Sequence, residues 1–207
     1  MGAPGMTSPI RTEAFQNLQL NAGCFLVDFD YSSITDATAL KTAIKAAISD
    51  LTKVLGVTRG GGTFTVTREL RTPEVDGMRY PFKGADFVDS VDAYLSGTLL
   101  EVVSQNFKRL LGTGDSTTSG KKTTITMHTA IDADTDYIDH LCWVGDLADG
   151  RAVLIELDNA FNTSDFSLTF TDKGEGTMTF EFHARQAEVT DYDNAPFRVV
   201  FFDLPST

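Results

Sequence analysis

The chain has 207 residues and 22.5 kDa, the size of one domain, and its 42% hydrophobic and 22% charged content is that of an ordinary globular fold. A formal net charge of −12, with 29 acidic against 17 basic residues and no Lys/Arg run longer than two, argues against gripping nucleic acid by its phosphates. No apolar run approaches the length of a membrane span, and the N-terminal stretch lacks the pattern of a secretory signal. Cys24 and Cys142 are too few for a disulfide framework and read as buried free thiols in a reducing cytosol.

Residues 1–21 are polar with scattered apolar side chains and read as an arm without a core of its own; residues 22–207 read as a single β domain. "AGCFLVDFD" (22–30) predicts a short buried strand. Leu40, Ile44, Ala47, Ile48, Leu51 and Leu55 then fall on one face at helical spacing and predict an amphipathic helix over about 36–55. Thr35 or Asp36 suits its start, Lys53 its last turn and Gly56 its end.

Beyond the triple glycine of "TRGGGTFTVTREL" the period changes to two. Phe64, Val66 and Leu70, with Arg68, lie on one side, and Thr63, Thr65, Thr67 and Glu69 on the other, the pattern of a half-buried strand. The glycines are no phosphate loop: G-x-x-x-x-G-K-[ST] is missing, and they stand between a helix and a strand, so they read as a connector. "RTPEVDG" predicts a turn region, and "MRYPFKGADFV" and "SVDAYLSGTLLEV" two further strands. A short helix over about 104–111, capped by Ser104, stops at Gly112. Residues 112–122, "GTGDSTTSGKK", have almost nothing to bury and predict an exposed, mobile loop.

The second half reads as a meander: "KTTITMHT", "DYIDHLCWVGDL", "RAVLIELDNAF", "SDFSLTFTD" and "TMTFEFHA", with turns at "ADG" and "KGEG". Regular strands with turn signals between them define the expected class, a mainly β sandwich or barrel. Asp132, Asp134 and Asp136 begin like a calcium loop, but Tyr137 and Trp143 stand where an EF-hand needs glycine and glutamate. His128, His140 and His183 have no zinc-motif spacing, and no nucleophile elbow is present. No catalytic, cofactor or metal residues are therefore nominated, and an enzyme is not expected.

What recurs is a strand face of small polar and acidic residues. It appears as Thr63, Thr65, Thr67 and Glu69, again as Asp165, Ser167, Thr169 and Thr171 opposite Phe166, Leu168 and Phe170, and again as Thr177, Thr179, Glu181 and His183 opposite Met178, Phe180 and Phe182. An ordinary solvated sheet face accounts for this, as does a hydrated wall acidic enough to repel phosphate.

The order of "GGTFTVTRELR" running into "VDG" and "FKG", then "DYID", "LDNA" and "FTDKGEGTMTFEF", resembles the major tail tube proteins of tailed bacteriophages and phage-tail-like particles, over about residues 22–184. The resemblance implies a β-sandwich or barrel with a packed helix, forming commonly hexameric rings whose inner sheets join around a channel and which stack into a hollow tube. It makes Thr63, Thr65, Thr67, Glu69, Asp165, Ser167, Thr169, Thr171, Thr177, Thr179 and Glu181 lumen candidates. Asp115, Ser116, Thr117, Thr118, Ser119, Lys121 and Lys122, with residues 1–21, become ring-stacking candidates. The implied partners are further copies of itself, a tape measure protein and other tail proteins, with DNA passing without sticking. The implied place is the virion tail, assembled in the bacterial host cytoplasm, without cofactor or membrane insertion. The alternatives are a monomeric β-sandwich module binding carbohydrate or calcium, and a jelly-roll enzyme. Self-assembly separates the tube from both.

Overall fold

A computed structural model of the chain describes residues 12–189 and 194–205. In chain order its elements are α1 (Thr12–Gln16), β1 (Cys24–Val27), α2 (Ala37–Ile48), β2 (Thr58–Arg71), β3 (Phe87–Leu99), α3 (Ser104–Leu111), β4 (Gly114–Ser119), β5 (Lys122–Met127), β6 (Ile138–Asp146), β7 (Ala152–Asn162), β8 (Leu168–Thr169), β9 (Thr177–His183) and β10 (Phe197–Phe202). The protein is mainly β, a sandwich with a few short helices, as its alternating strands and turn residues predict.

The large antiparallel sheet has two halves. One runs β1-β6-β7-β10 and the other β2-β3-β9-β8, and they are joined where the end of β7 pairs briefly with β9 through Phe161–His183 and Asn162–Phe182. The halves bury Phe25, Leu141 and Leu157 against Leu95, Leu99, Met178, Phe180 and Phe182. Phe25 meets Phe180 edge-on, with ring centroids 5.2 Å apart and planes at 83°, a geometry aromatic quadrupoles favour. A second apolar layer lies on the outer side of the first half, where Leu26, Cys142, Val144, Leu154 and Phe202 pack with Ala37 and Leu40 of α2.

Asp36 starts α2 by accepting from the amides of Thr38 and Ala39 at 2.9 Å each. The helix ends at Ile48, well short of the residue 55 that spacing predicts. Ser49 bonds back to the Ala46 carbonyl, and Asp50 accepts from the amide and hydroxyl of Thr52, a local turn that competes with further helix. Leu51 is left exposed. Leu55 is buried from a connector beside β1, where its amide donates to the Phe25 carbonyl. Lys45, not Lys53, sits in the last turn, and Gly56 belongs to the connector.

Four further expectations are corrected. The triple glycine lies inside β2, where Gly60 and Gly61 take positive φ at an irregularity between Thr58 and Gly62. Residues 78–86 form no strand, because Pro81 and Gly84 break the run, and only β3 follows. The stretch 112–122 is no loop: β4 and β5 make an exposed hairpin turning at Gly120. "SDFSLTFTD" forms only the two-residue β8, and "FRVVFF", not read as a strand, is β10. Of the expected arm, residues 12–21 begin with α1 and then run beside the β6–β7 turn, where the Ala148 amide donates to the Leu18 carbonyl; residues 1–11 lie outside the described residues.

Candidate functional site

Antiparallel register fixes which side chains share a face, because directly paired residues point the same way. Thr63 pairs with Ser96 and Ser96 with Glu181; Thr65 pairs with Tyr94 and Tyr94 with His183. Thr67 pairs with Asp92, Glu69 with Ser90, Thr98 with Thr179, and Thr169 with Thr177. Two of the three threonine rows predicted from sequence, with Thr169 of the third, thus stand side by side on the outer face of β2-β3-β9-β8. Asp165, Ser167 and Thr171 fall outside the short β8, and Phe170, expected on the buried side, is exposed.

The wall is hydroxylated and acidic. Glu69 accepts from the Ser90 hydroxyl at 3.1 Å. His183 bridges two carboxylates, its Nδ1 2.7 Å from Asp92 and its Nε2 2.9 Å from Glu181, and its ring stacks on Tyr94 at 4.8 Å. Asp92, Tyr94, Ser96 and Thr98 of β3 complete the face; the sequence reading missed them, though "DAYLSGT" alternates as plainly as the rows it found. No lysine or arginine occupies a paired position of these rows from Thr63 to Glu69, and the one guanidinium that reaches them is that of Arg185, just beyond β9, 3.6 Å from Asp92, among the described residues.

A second polar cluster lies on the outer face of the other half. Glu156, 2% exposed, accepts from the Tyr31 hydroxyl at 2.5 Å and from Arg198, and His140 Nδ1 lies 2.9 Å from it. Arg198 also makes a fork with Asp158 at 3.1 and 2.8 Å. Burial and the Glu156 carboxylate push the Tyr31 hydroxyl up to about 12, so it remains a donor. His140, Glu156 and Asp158 bring ligand atoms within 4.8 Å of one another. The guanidinium of Arg198 already supplies a cation there, bonded to both Glu156 and Asp158, which makes the cluster a prop for the second core.

The acidic loop before β6 folds onto itself. Asp132 accepts from the Asp134 amide, and Asp136 from the Asp132 amide and from His128 Nε2 at 2.8 Å, while His128 Nδ1 lies 3.1 Å from Asp115 of β4. Its carboxylates hold backbone and imidazole and do not converge on a cation site. Two acceptors on the two ring nitrogens are both satisfied only by the charged ring. The Asp136 hydrogen bond accordingly raises the His128 pKa above its ordinary value, burial opposing and Asp115 assisting. A raised folded-state value contributes stability that is present below the ordinary value near 6.5 and fades as pH rises through the folded-state value. Protection factors of the amides in β4 and β5, exchange rates corrected for the base-catalysed intrinsic rate, are therefore expected to be higher at pH 5.5 than at pH 8.5, with His128→Gln removing the difference. An equal pH response in that variant would refute the clamp.

Neither thiol is poised as a thiolate. Burial, with Asp146 nearby, pushes Cys24 up to about 11, and burial with Glu156 and Asp158 raises Cys142 further. No helix among the described residues is long and apolar enough to cross a membrane. No protein-family model and no curated protein matches the chain.

Proposed function

We propose that the protein is a structural subunit of a tube of the phage-tail type, assembling into rings that stack around a channel, with the threonine-and-acid wall lining it. The observation that carries this reading is the wall together with its open side. β2 is 14 residues long, contains neither proline nor lysine, and pairs only with β3 among the described residues. A long free edge is a hazard for a monomer and a joint for an assembly. Duplex DNA carries about one negative charge per 1.7 Å of axis, so a wall of hydroxyls and carboxylates lets it slide without adhering. In this reading the β4–β5 hairpin and the N-terminal arm reach toward neighbouring rings, the other tail proteins including the tape measure are partners, and the virion tail is the location. The work is done by shape, closure and charge, without catalysis.

Negative-stain electron microscopy of the purified protein beside light scattering tests this. Rings or hollow tubes are expected, with a mass well above 22.5 kDa. A species of monomer mass at every concentration, with featureless grids, would overturn it.

A further inference from the structure

We propose that Asp76 is a self-modification site, at which the Gly77 nitrogen closes on the Asp76 side chain to a cyclic imide that reopens to isoaspartate. This chemistry does not depend on the tube reading.

An aspartate followed by glycine closes this ring readily, because no β-carbon shields the attacking nitrogen. The chain has two such pairs, Asp76–Gly77 and Asp149–Gly150, and no Asn–Gly pair. The fold treats them oppositely.

Asp76 and Gly77 form the middle of a turn in which the Met78 amide donates to the Val75 carbonyl at 3.0 Å. Gly77 stands at its third position with φ +85°, where a type II turn calls for glycine. Both residues are exposed, and a β-carbon at Gly77 would meet nothing within 4 Å. Among the described residues, neither the Asp76 carboxylate nor the Gly77 amide has a hydrogen-bond partner in the protein. Nucleophile and electrophile are adjacent and unrestrained.

At the other pair both groups are engaged. The Gly150 amide donates to the Leu147 carbonyl at 3.0 Å. The Asp149 carboxylate accepts from the Arg151 amide at 3.0 Å and from its Nε at 2.6 Å. Against partial burial, those bonds hold the Asp149 carboxyl below its ordinary value, in the ionised form that nitrogen does not attack.

The step is redox-neutral and needs only water. The Gly77 nitrogen attacks Cγ of the protonated Asp76 carboxyl; an N–Cγ bond forms, a Cγ–O bond breaks, and the hydroxyl leaves with the amide proton as water. Water then adds at the main-chain carbonyl carbon of Asp76, and the bond from that carbon to the Gly77 nitrogen breaks. The chain now runs through Cβ and Cγ and carries a free α-carboxylate. Opening at Cγ instead restores aspartate. The lengthened backbone lies in the turn beyond β2 and β3, whose ends are tied by Arg71 to Asp89 at 3.0 Å and by Thr72 to Asp86, so the strand register is untouched. The free α-carboxylate is the group that an isoaspartate-specific carboxyl methyltransferase accepts.

The full-length protein is aged in mildly acidic buffer, where carboxyls keep part of their protons. It is then digested, and the isomers are separated by electron-transfer fragmentation, with methyl labelling by such a methyltransferase as a second readout. Two hydrogen bonds, one of them to a charged group, must open before Asp149 reacts, so isoaspartate is expected at Asp76 at least about tenfold faster than at Asp149. Asp76→Glu, whose ring would need an extra carbon, is expected to abolish labelling at the turn. Asp76→Asn is expected to react faster than the parent through the same ring, ammonia leaving in place of water. Preferential isoaspartate at position 76 with those two responses supports the site. No isoaspartate at Asp76, equal accumulation at Asp76 and Asp149, or an Asp76→Asn variant that ages no faster than the parent overturns it, and none of these results bears on assembly.

Discussion

Replacing Arg198 with methionine is expected to destabilise the protein by about 2–3 kcal/mol, most of which returns when Glu156 is replaced by leucine in the same chain. Glu156 stands in the middle of β7, and its side chain is 3% exposed. Its charge is held by Arg198 from the directly opposite position on β10, by the Tyr31 hydroxyl and beside His140. Removing one partner of a buried pair leaves an uncompensated charge and costs roughly 3–5 kcal/mol. The Arg198 side chain is half exposed, at 52%, so water screens part of the pair and the expectation falls below that range. An apolar pair of similar volume replaces the interaction at little cost, which is why the double variant recovers. Urea denaturation of the parent, both single variants and the double variant gives the coupling directly. A loss under about 0.5 kcal/mol for Arg198→Met would show that the cluster props nothing.

That cluster also shows where sequence reading stops. Tyr31, His140, Glu156 and Arg198 come from four distant segments, and only the β6-β7-β10 register brings them together. One signal was available: Glu156 interrupts "RAVLIELDNAF", a run otherwise apolar enough to be buried on both faces, and a carboxylate there needs a partner. The wall was legible because period two fixes parity within each strand: Thr63 to Glu69 and Thr177 to Glu181 do share a face. That the rows adjoin, with Asp92 to Thr98 between them, depends on strand order, which alternation does not encode. β10 was missed because "FRVVFF" does not alternate and follows a polar stretch. The end of α2 was misplaced because Leu51 and Leu55 keep helical spacing by coincidence, while Asp50 and Ser49 supply the turn that wins locally. Residues 78–86 show the converse error, apolar content without a strand, since Tyr80 and Phe82 flank a proline and stay in solvent.

The triple glycine separates two reasons for glycine that sequence alone merges, and the separation is measurable. Gly62→Val is expected to cost about 2–3 kcal/mol, near the upper end for overpacking a filled core. A β-carbon at Gly62 would stand 2.4 Å from Phe25 Cζ and 3.0 Å from the Ser96 carbonyl oxygen. Phe25 is itself fully buried and held edge-on against Phe180, whose Cζ would lie 2.8 Å from a β-carbon on the paired Gly97. Gly62 and Gly97 thus leave the space that two core rings fill, and neither ring can retreat. Gly60 is different: nothing lies within 4 Å of its β-carbon position, but its φ is +75°. Gly60→Ala is accordingly expected to cost about 1–2 kcal/mol of backbone strain. Pairing each variant with Phe25→Leu distinguishes the causes. The smaller side chain should offset part of the Gly62→Val penalty, with a coupling above about 0.5 kcal/mol, while adding to the Gly60→Ala penalty without interaction. Additivity at Gly62 as well would mean that the glycine is there for its backbone and not for the ring beneath it.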